Sequence, residues 1–469
     1  MILLAHSYFL ADDPKQHARM KPYPPLATLL AAALLRKHGH EVALFDAMLE
    51  PGTDAFRTRL RDTRPAVVGI LEDNFNYVTK MCTVRMRQAT VEMIGAAREH
   101  GCRVVVNGSD AADRPALYLD AGADAVLRGE AEMGMLALAD LWRDAPTARG
   151  SALAALPGLA LRDDAGAVRH TPPRPALRDL DALPLPAWDL VDVEAYRRAW
   201  TAAHGRFSWN VVTSRGCPFG CNWCAKPVFG RRYSQRSPGA VAEEMRRLKD
   251  EIAPDHIWFA DDIFGLTPRW VTEFARAVRA ADARTPFMLQ SRVDLMRPDV
   301  VAALAEAGAE EVWLGVESGS QKILDAMDKA TKLEEIRAAT RALKAQGVRA
   351  CWFLQLGYPS ETWEDLLRTR DLVRDERPDD IGVSVAYPLP GTKFHAAVQA
   401  QLGARQNWEH TDDLAMLFRG TYDTGFYRRV RDVLHDEVRS GAADDASWRA
   451  LERDEGAHRS AHPFHPAVR

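Results

Sequence analysis

The sequence predicts two α/β units in series: an open, doubly wound parallel sheet, then a partial (β/α)6 barrel, with a small helical region behind them. Three observations lead there. Five short apolar runs alternate with helical patterns before residue 145. Six more alternate on a longer spacing between residues 209 and 386, and a cysteine cluster follows the first of those six.

In the first unit, residues 1–145, the strand candidates are ILLA (2–5), EVALF (41–45), AVVGIL (66–71), RVVVN (103–107) and DAVLR (124–128). Each is apolar almost throughout, as a parallel strand covered on both faces must be. Helical stretches separate them, such as residues 83–101, which Gly101 closes from the position after the cap. Five strands alternating with helices describe a flavodoxin-like sheet. Residues 146–200 are expected to be a connector: a hairpin turns at Asp164-Ala165-Gly166, and Pro172, Pro173, Pro175, Pro184 and Pro186 interrupt any long helix.

The second unit, residues 201–400, has strand candidates WNVVT (209–213), HIWFA (256–260), FMLQ (287–290), VWLGV (312–316), CWFLQ (351–355) and IGVSVA (381–386). Its helices announce themselves: Ser237 and Thr267 can cap, with Pro238 and Pro268 at the first helical position. Six such units make three-quarters of a TIM-type barrel, whose chemistry lies at the carboxyl ends of the strands. Residues 401–455 are polar with an amphipathic helix around 426–438, and residues 456–469 are expected to be disordered.

Composition narrows the classes. The 469 residues are 47% hydrophobic and 27% charged, with a formal net charge of −4 and no massing of Lys and Arg, so nucleic acid is not an expected partner. The longest apolar run, residues 24–35, is too short to span a bilayer. The opening MILLAHSYFL lacks a basic segment and a cleavage pattern, which places the protein in the cytoplasm. Thiols stay reduced there, so clustered cysteines point to metal rather than disulfides.

The cluster is TSRGCPFGCNWCAK, residues 213–226, with Cys217, Cys221 and Cys224 spaced C-x3-C-x2-C at a predicted catalytic strand end. Three thiolates on one short loop can hold three irons of a 4Fe–4S cluster and leave the fourth iron open to another ligand. The competing reading is structural zinc with His204 or His256 as fourth ligand, although no second cysteine knuckle exists. Cys82, Cys102 and Cys351 stand singly, as buried small hydrophobes do.

The spacing and its aromatic, Cys217-x3-Cys221-x-Trp223-Cys224, resemble the signature of the radical S-adenosylmethionine (SAM) superfamily. The resemblance implies that SAM chelates the open iron and that Trp223 lies near its adenine. It further implies that cluster-driven cleavage yields a 5′-deoxyadenosyl radical. It points to SAM contacts at the following strand ends: Asp261 and Asp262 in FADDIF, Gln290 and Arg292 in QSRVD, Glu317 and Ser318 in GVESGS, and Gly357 in GYPSET. Singly, each acid is equally a solvated loop residue or a helix cap.

A flavodoxin-like domain ahead of such a barrel is similar to the cobalamin-binding radical SAM group, and the resemblance covers nearly the whole chain. It implies a corrinoid at the carboxyl edge of the sheet, near Asp46, Asn107, Gly108, Gly129 and Glu130. The chain lacks D-x-H-x-x-G, which supplies an axial histidine elsewhere, and has Asn107-Gly108 in place of a glycine pair. A domain that kept the fold and lost the cofactor is the alternative. The leading expectation is a cobalamin-dependent radical SAM enzyme that methylates an unactivated carbon of a small molecule or peptide, served by a low-potential donor such as flavodoxin or ferredoxin. Radical oxidation or cyclisation, as in the anaerobic magnesium-protoporphyrin ester cyclase group, is the second. A tRNA methylthiotransferase would need more cysteines in the first domain, and a zinc-stabilised binding module would carry no iron.

Overall fold

The computed structural model describes residues 1–225 and 228–460. The first sheet has the strand order β2-β1-β3-β4-β5, with β1 Ile2–Ala5, β2 Val42–Phe45, β3 Val67–Leu71, β4 Arg103–Asn107 and β5 Ala125–Leu127 all parallel. Alternate residues of one strand feed opposite cores. Ile2 and Leu4 face the layer of helices Leu26–Lys37 and Ala131–Asp144, whereas Leu3 and Ala5 face that of Thr53–Thr63 and Val84–Glu99. This is why each predicted strand is apolar at every position.

The connector is less separate than its prolines suggest. Its hairpin, β6 Leu159–Arg162 and β7 Val168–His170, turns at the expected residues but adds antiparallel to β5, which makes the sheet seven-stranded. The first unit therefore extends to about residue 170 rather than 145, because β5 would otherwise expose an edge. The helix Val193–His204 then packs between the two units. Its Trp200 donates to Pro22 O at 2.6 Å.

The barrel begins at β8 Ser208–Val211. A two-residue pair, β9 Ser214–Arg215 and β10 Ser234–Gln235, brackets the cysteine loop. The wall continues in order through β11 His256–Phe259, β12 Phe287–Ser291, β13 Ala309–Glu317, β14 Arg349–Leu356 and β15 Asp380–Val385, all parallel and open between β15 and β8. Ser237 and Thr267 cap the helices Pro238–Glu251 and Pro268–Ala280 as their sequences predict.

The first unit reaches into this barrel. Tyr23 hydroxyl meets Ser208 Oγ at 3.0 Å and its ring packs against Trp258 and Trp200, while Asn210 donates to Pro24 O. One hydrophobic core accordingly runs through both units. Behind β15 lie the helices Thr424–Ser440 and Asp445–His458. The second corrects the expectation of a disordered tail from residue 456. His458 bonds Asp423 at 2.7 Å and Ser460 N donates to Thr421 O, which holds the chain in place to residue 460. Residues 461–469 of that expected tail lie outside the described residues. Among the described residues no helix is long and apolar enough to cross a membrane.

Candidate active site

The cysteine loop is held from three sides. Asp261, at the end of β11, accepts from Thr213 N and Thr213 Oγ1 at 3.0 and 2.9 Å and from Ser214 Oγ, which fixes the approach to the loop. Gly216 has φ +79°, and a Cβ there would lie 1.9 Å from Arg232 O, so no other residue fits. Asn222, between the second and third cysteines, is the pin. It bonds Met327 O through its backbone, Ala326 O through its side-chain amide and Tyr358 hydroxyl through Oδ1, and its own carbonyl accepts from Phe394 N.

Cys221 is buried, and Cys217 and Cys224 are half-buried. Arg292 places Nη1 at 3.8 Å from Cys221 Sγ and its guanidinium 3.9 Å from the centre of the Phe219 ring, a cation beside a thiol that must ionise to bind metal. Among the described residues no three His, Cys, Asp or Glu side chains are gathered closely enough to hold a metal ion. The donor set itself is three soft thiols on one loop, which suits an iron–sulfur cluster. Neither histidine considered for zinc reaches it. His204 bonds the carbonyls of Arg19 and Met20, and His256 sits at the opposite end of the barrel against Ser208, where burial pushes it down to about 3. The other three cysteines are buried, as expected.

The strand-end residues divide into two sets. Asp261 is fully buried, with its oxygens turned to Thr213 and Ser214, so it positions the approach to the cysteine loop. Burial raises its carboxyl to about 7, against the pull of the Ser214 and Thr213 donors. Gln290 donates to Asp261 O at 2.6 Å, and Asp262 pairs with Lys80 of the first unit. Gly357 lies in a close contact with the C-terminal region. A Cβ there would meet Met416 and, in the helix Thr424–Ser440, Tyr427, so the position stays bare.

Glu317 and its neighbours form the other set. A register shift interrupts β13 between Gly315 and Glu317, and Glu317 has φ +66°, an uncommon backbone for its type. Its carboxylate meets Lys329 Nζ at 2.7 Å, with both side chains 6% exposed. Ser318 hydroxyl accepts from Ser320 N and contacts Thr369, which shapes the turn that follows.

On the first unit, the residues at the carboxyl edge are densely bonded. Asp46 accepts from Tyr196 hydroxyl and contacts buried His6 at 2.9 Å. Burial lowers the His6 basicity, but the Asp46 bond and charge outweigh it and leave the imidazole raised. Glu72, held by Ser7, is pushed by burial to about 7. Asn107 donates to Leu127 O and Gly129 O and accepts from Asn74, so it closes the gap between β4 and β5. Gly108 is required because a Cβ would lie 2.9 Å from Glu72 Cγ. Glu130, beside Gly129, accepts from Leu177 N and pairs with Arg215 of the barrel.

Between the units lies a cleft of about 230 Å³. Ser109 and Asp110 of the first sheet's edge, Trp223 of the cysteine loop, and Gln355 and Ser384 of the barrel wall all line it. Two sequence-family models match on either side of this cleft: the B12 binding domain over residues 19–139 and the Radical SAM superfamily over residues 211–373. The chain is a radical SAM enzyme of the cobalamin-binding subclass. It is 27% identical over 432 residues to an uncharacterized methyltransferase, PH0819, of Pyrococcus horikoshii, covering 88% of this chain and 90% of that one. It is 28% identical over 391 residues to the hopanoid C-3 methylase of Methylococcus capsulatus, covering 81% and 70%. Among solved structures, the cobalamin- and [4Fe-4S]-bound methyltransferase TsrM of Kitasatospora setae has the same fold. Its TM-score is 0.69 at 20% identity, over 86% of this chain and 79% of that one.

The cleft of this radical SAM enzyme fits a corrinoid in kind. Aromatic walls from Tyr77, Trp223, Tyr387 and Trp408 suit a flat apolar macrocycle, and the Ser109 hydroxyl, which donates to Lys80 O, keeps its acceptor side for the amide rim. Trp223 Nε1 and Gln355 Oε1 are buried and have no hydrogen-bond partner among the described residues, a donor and an acceptor on residues that line the same cleft. Sequence reading missed Gln355, Lys329, Arg215 and His6. Gln355 had a signal, a polar residue at an inward position of an otherwise apolar strand. Lys329 had none, since only the tertiary fold brings it to Glu317.

Proposed function

We propose that this enzyme methylates an unactivated carbon of a small molecule or peptide. The observation that supports the reading is a cleft that has both the cysteine loop and the B12 domain's sheet edge on its walls. When bound, the cluster held by Cys217, Cys221 and Cys224 supplies the electron for SAM cleavage, and cobalamin supplies the methyl group.

The chain's own residues do the rest. Arg292 offsets thiolate charge at Cys221, and Asp261 and Asn222 keep the loop in one conformation before ligand arrives. Glu317, turned by its strained backbone and neutralised by Lys329, together with Ser318, is assigned to the amino-acid end of SAM. Trp223 and Gln355 offer a donor and an acceptor to whatever lies between SAM and cobalamin.

Anaerobic incubation with iron, sulfide, cobalamin, reductant and methyl-labelled SAM tests this. Both 5′-deoxyadenosine and S-adenosylhomocysteine are expected, with label passing to cobalamin. Deoxyadenosine alone would move the assignment to radical oxidation or ring closure. Protein that takes up no iron, or a triple Cys→Ala variant that still cleaves SAM, would refute it.

A further inference from the structure

Most arginines here sit in ion pairs, and most of the exceptions are scattered. Five are not. Arg128, Arg174, Arg178, Arg231 and Arg232 have no ion-pair partner among the described residues, and the fold draws their backbones together. Arg128 N donates to Gly158 O at 2.8 Å, and a Cβ on Gly158 would touch Arg174 Cβ at 3.1 Å. Ser234 Oγ donates to Leu177 O at 2.7 Å, which sets Arg178 beside the loop that carries Arg231 and Arg232. Arg178, Arg231 and Arg232 are exposed.

The acids nearby are already engaged. Glu130 and Glu132 both pair with Arg215, and Asp181 accepts from Ser237 N and approaches Arg236. Exposed Asp179 offsets one charge. A cationic face thus stands on a chain whose formal net charge is −4. Its location matters more than its size. Cys217 N donates to Gly230 O, and Gly216 packs on Arg232 O, so this face is the outer side of the loop that carries the first cysteine.

We propose that this arginine face is the docking surface for an acidic, one-electron redox protein. The inference rests on the functional reading above, since a 4Fe–4S cluster on these cysteines must be reduced from outside. One electron leaves the donor's low-potential centre and one enters the cluster, with no proton or group transferred. Arginine suits the task because its guanidinium is weakly hydrated, stays charged and forks onto carboxylates. Complementary charge raises encounter rate and orients the partner. A nucleic acid is disfavoured because the rest of the surface repels it at longer range.

The test compares wild-type holoenzyme with R231E/R232E and with R174E/R178E, using reduced flavodoxin and, separately, dithionite as reductant. Cluster reduction is followed by loss of visible absorption, and association with oxidised flavodoxin by calorimetry. We expect roughly tenfold weaker binding and slower flavodoxin-dependent reduction in R231E/R232E, with unchanged reduction by dithionite. The wild-type rate should fall steeply with salt and the variant's should not. Equal flavodoxin rates would overturn the surface, as would equal losses with both reductants, which would make the arginines structural. Tight binding of a short RNA with the donor rate unmoved by the variants would also overturn it. Wild type that takes up no iron would instead refute the function on which the need for a donor depends.

Discussion

Glu317 combines an uncommon backbone with a buried ion pair, and both features depend on Gly315. A Cβ at Gly315 would lie 2.7 Å from Lys329 Nζ and 2.8 Å from Glu317 Oε1, so the pair forms only because that position is bare. Removing one member of a buried pair leaves a charge without compensation. Lys329→Met should lower the unfolding free energy by about 3–5 kcal/mol, and adding Glu317→Gln should recover much of it. Urea denaturation of the four members of that double-mutant cycle measures the coupling, and strict additivity would refute it. The three cysteines were legible because their spacing is local. Asp261 was legible as an important acid, but its bracing of the loop was not, since its partners Thr213 and Ser214 lie 48 and 47 residues away.

Among the elements, the junction of β14 with the C-terminal helix Thr424–Ser440 carries a pH dependence. Glu361 is fully buried and accepts from Gly357 N at 2.7 Å, with the Tyr427 hydroxyl nearby. Burial, helped by Asp365 and opposed by the Gly357 N–H, raises its carboxyl to about 8 from an ordinary 4.5. The folded state therefore keeps a proton that the unfolded chain loses near 4.5. Its stabilising contribution is complete below that pH and is lost progressively as pH rises toward 8, at roughly 1 kcal/mol per unit. Glu361→Gln should remove this slope, matching wild type near pH 4.5 and exceeding it at pH 8. Parallel urea midpoints for the two proteins across that range would contradict the assignment. The strands themselves were legible to within a few residues because burial on both faces demands unbroken apolar runs. The helix Asp445–His458 was not, since only Trp448 and Leu451 are buried in it and so thin a stripe leaves little pattern.

At the scale of the whole molecule, Arg215 joins the units. Its guanidinium is 4% exposed between Glu130 and Glu132 of the first unit and lies over Phe75 and Phe229. Arg215→Met would leave two buried carboxylates facing each other, so we expect a loss of about 3–5 kcal/mol and faster proteolysis in the proline-rich connector. Adding Glu130→Gln and Glu132→Gln should slow that proteolysis again, and its persistence would refute the clamp. The sequence by itself determined the two α/β units, the open barrel and the metal-binding loop, because periodicity, capping and cysteine spacing act over a few residues. Only the tertiary structure decided that the hairpin extends the first sheet, that Asp261 braces the loop, and that one cleft joins the two cofactor domains. Those outcomes depend on contacts between residues far apart in the chain, where burial and charge pairing, not local preference, set the free energy.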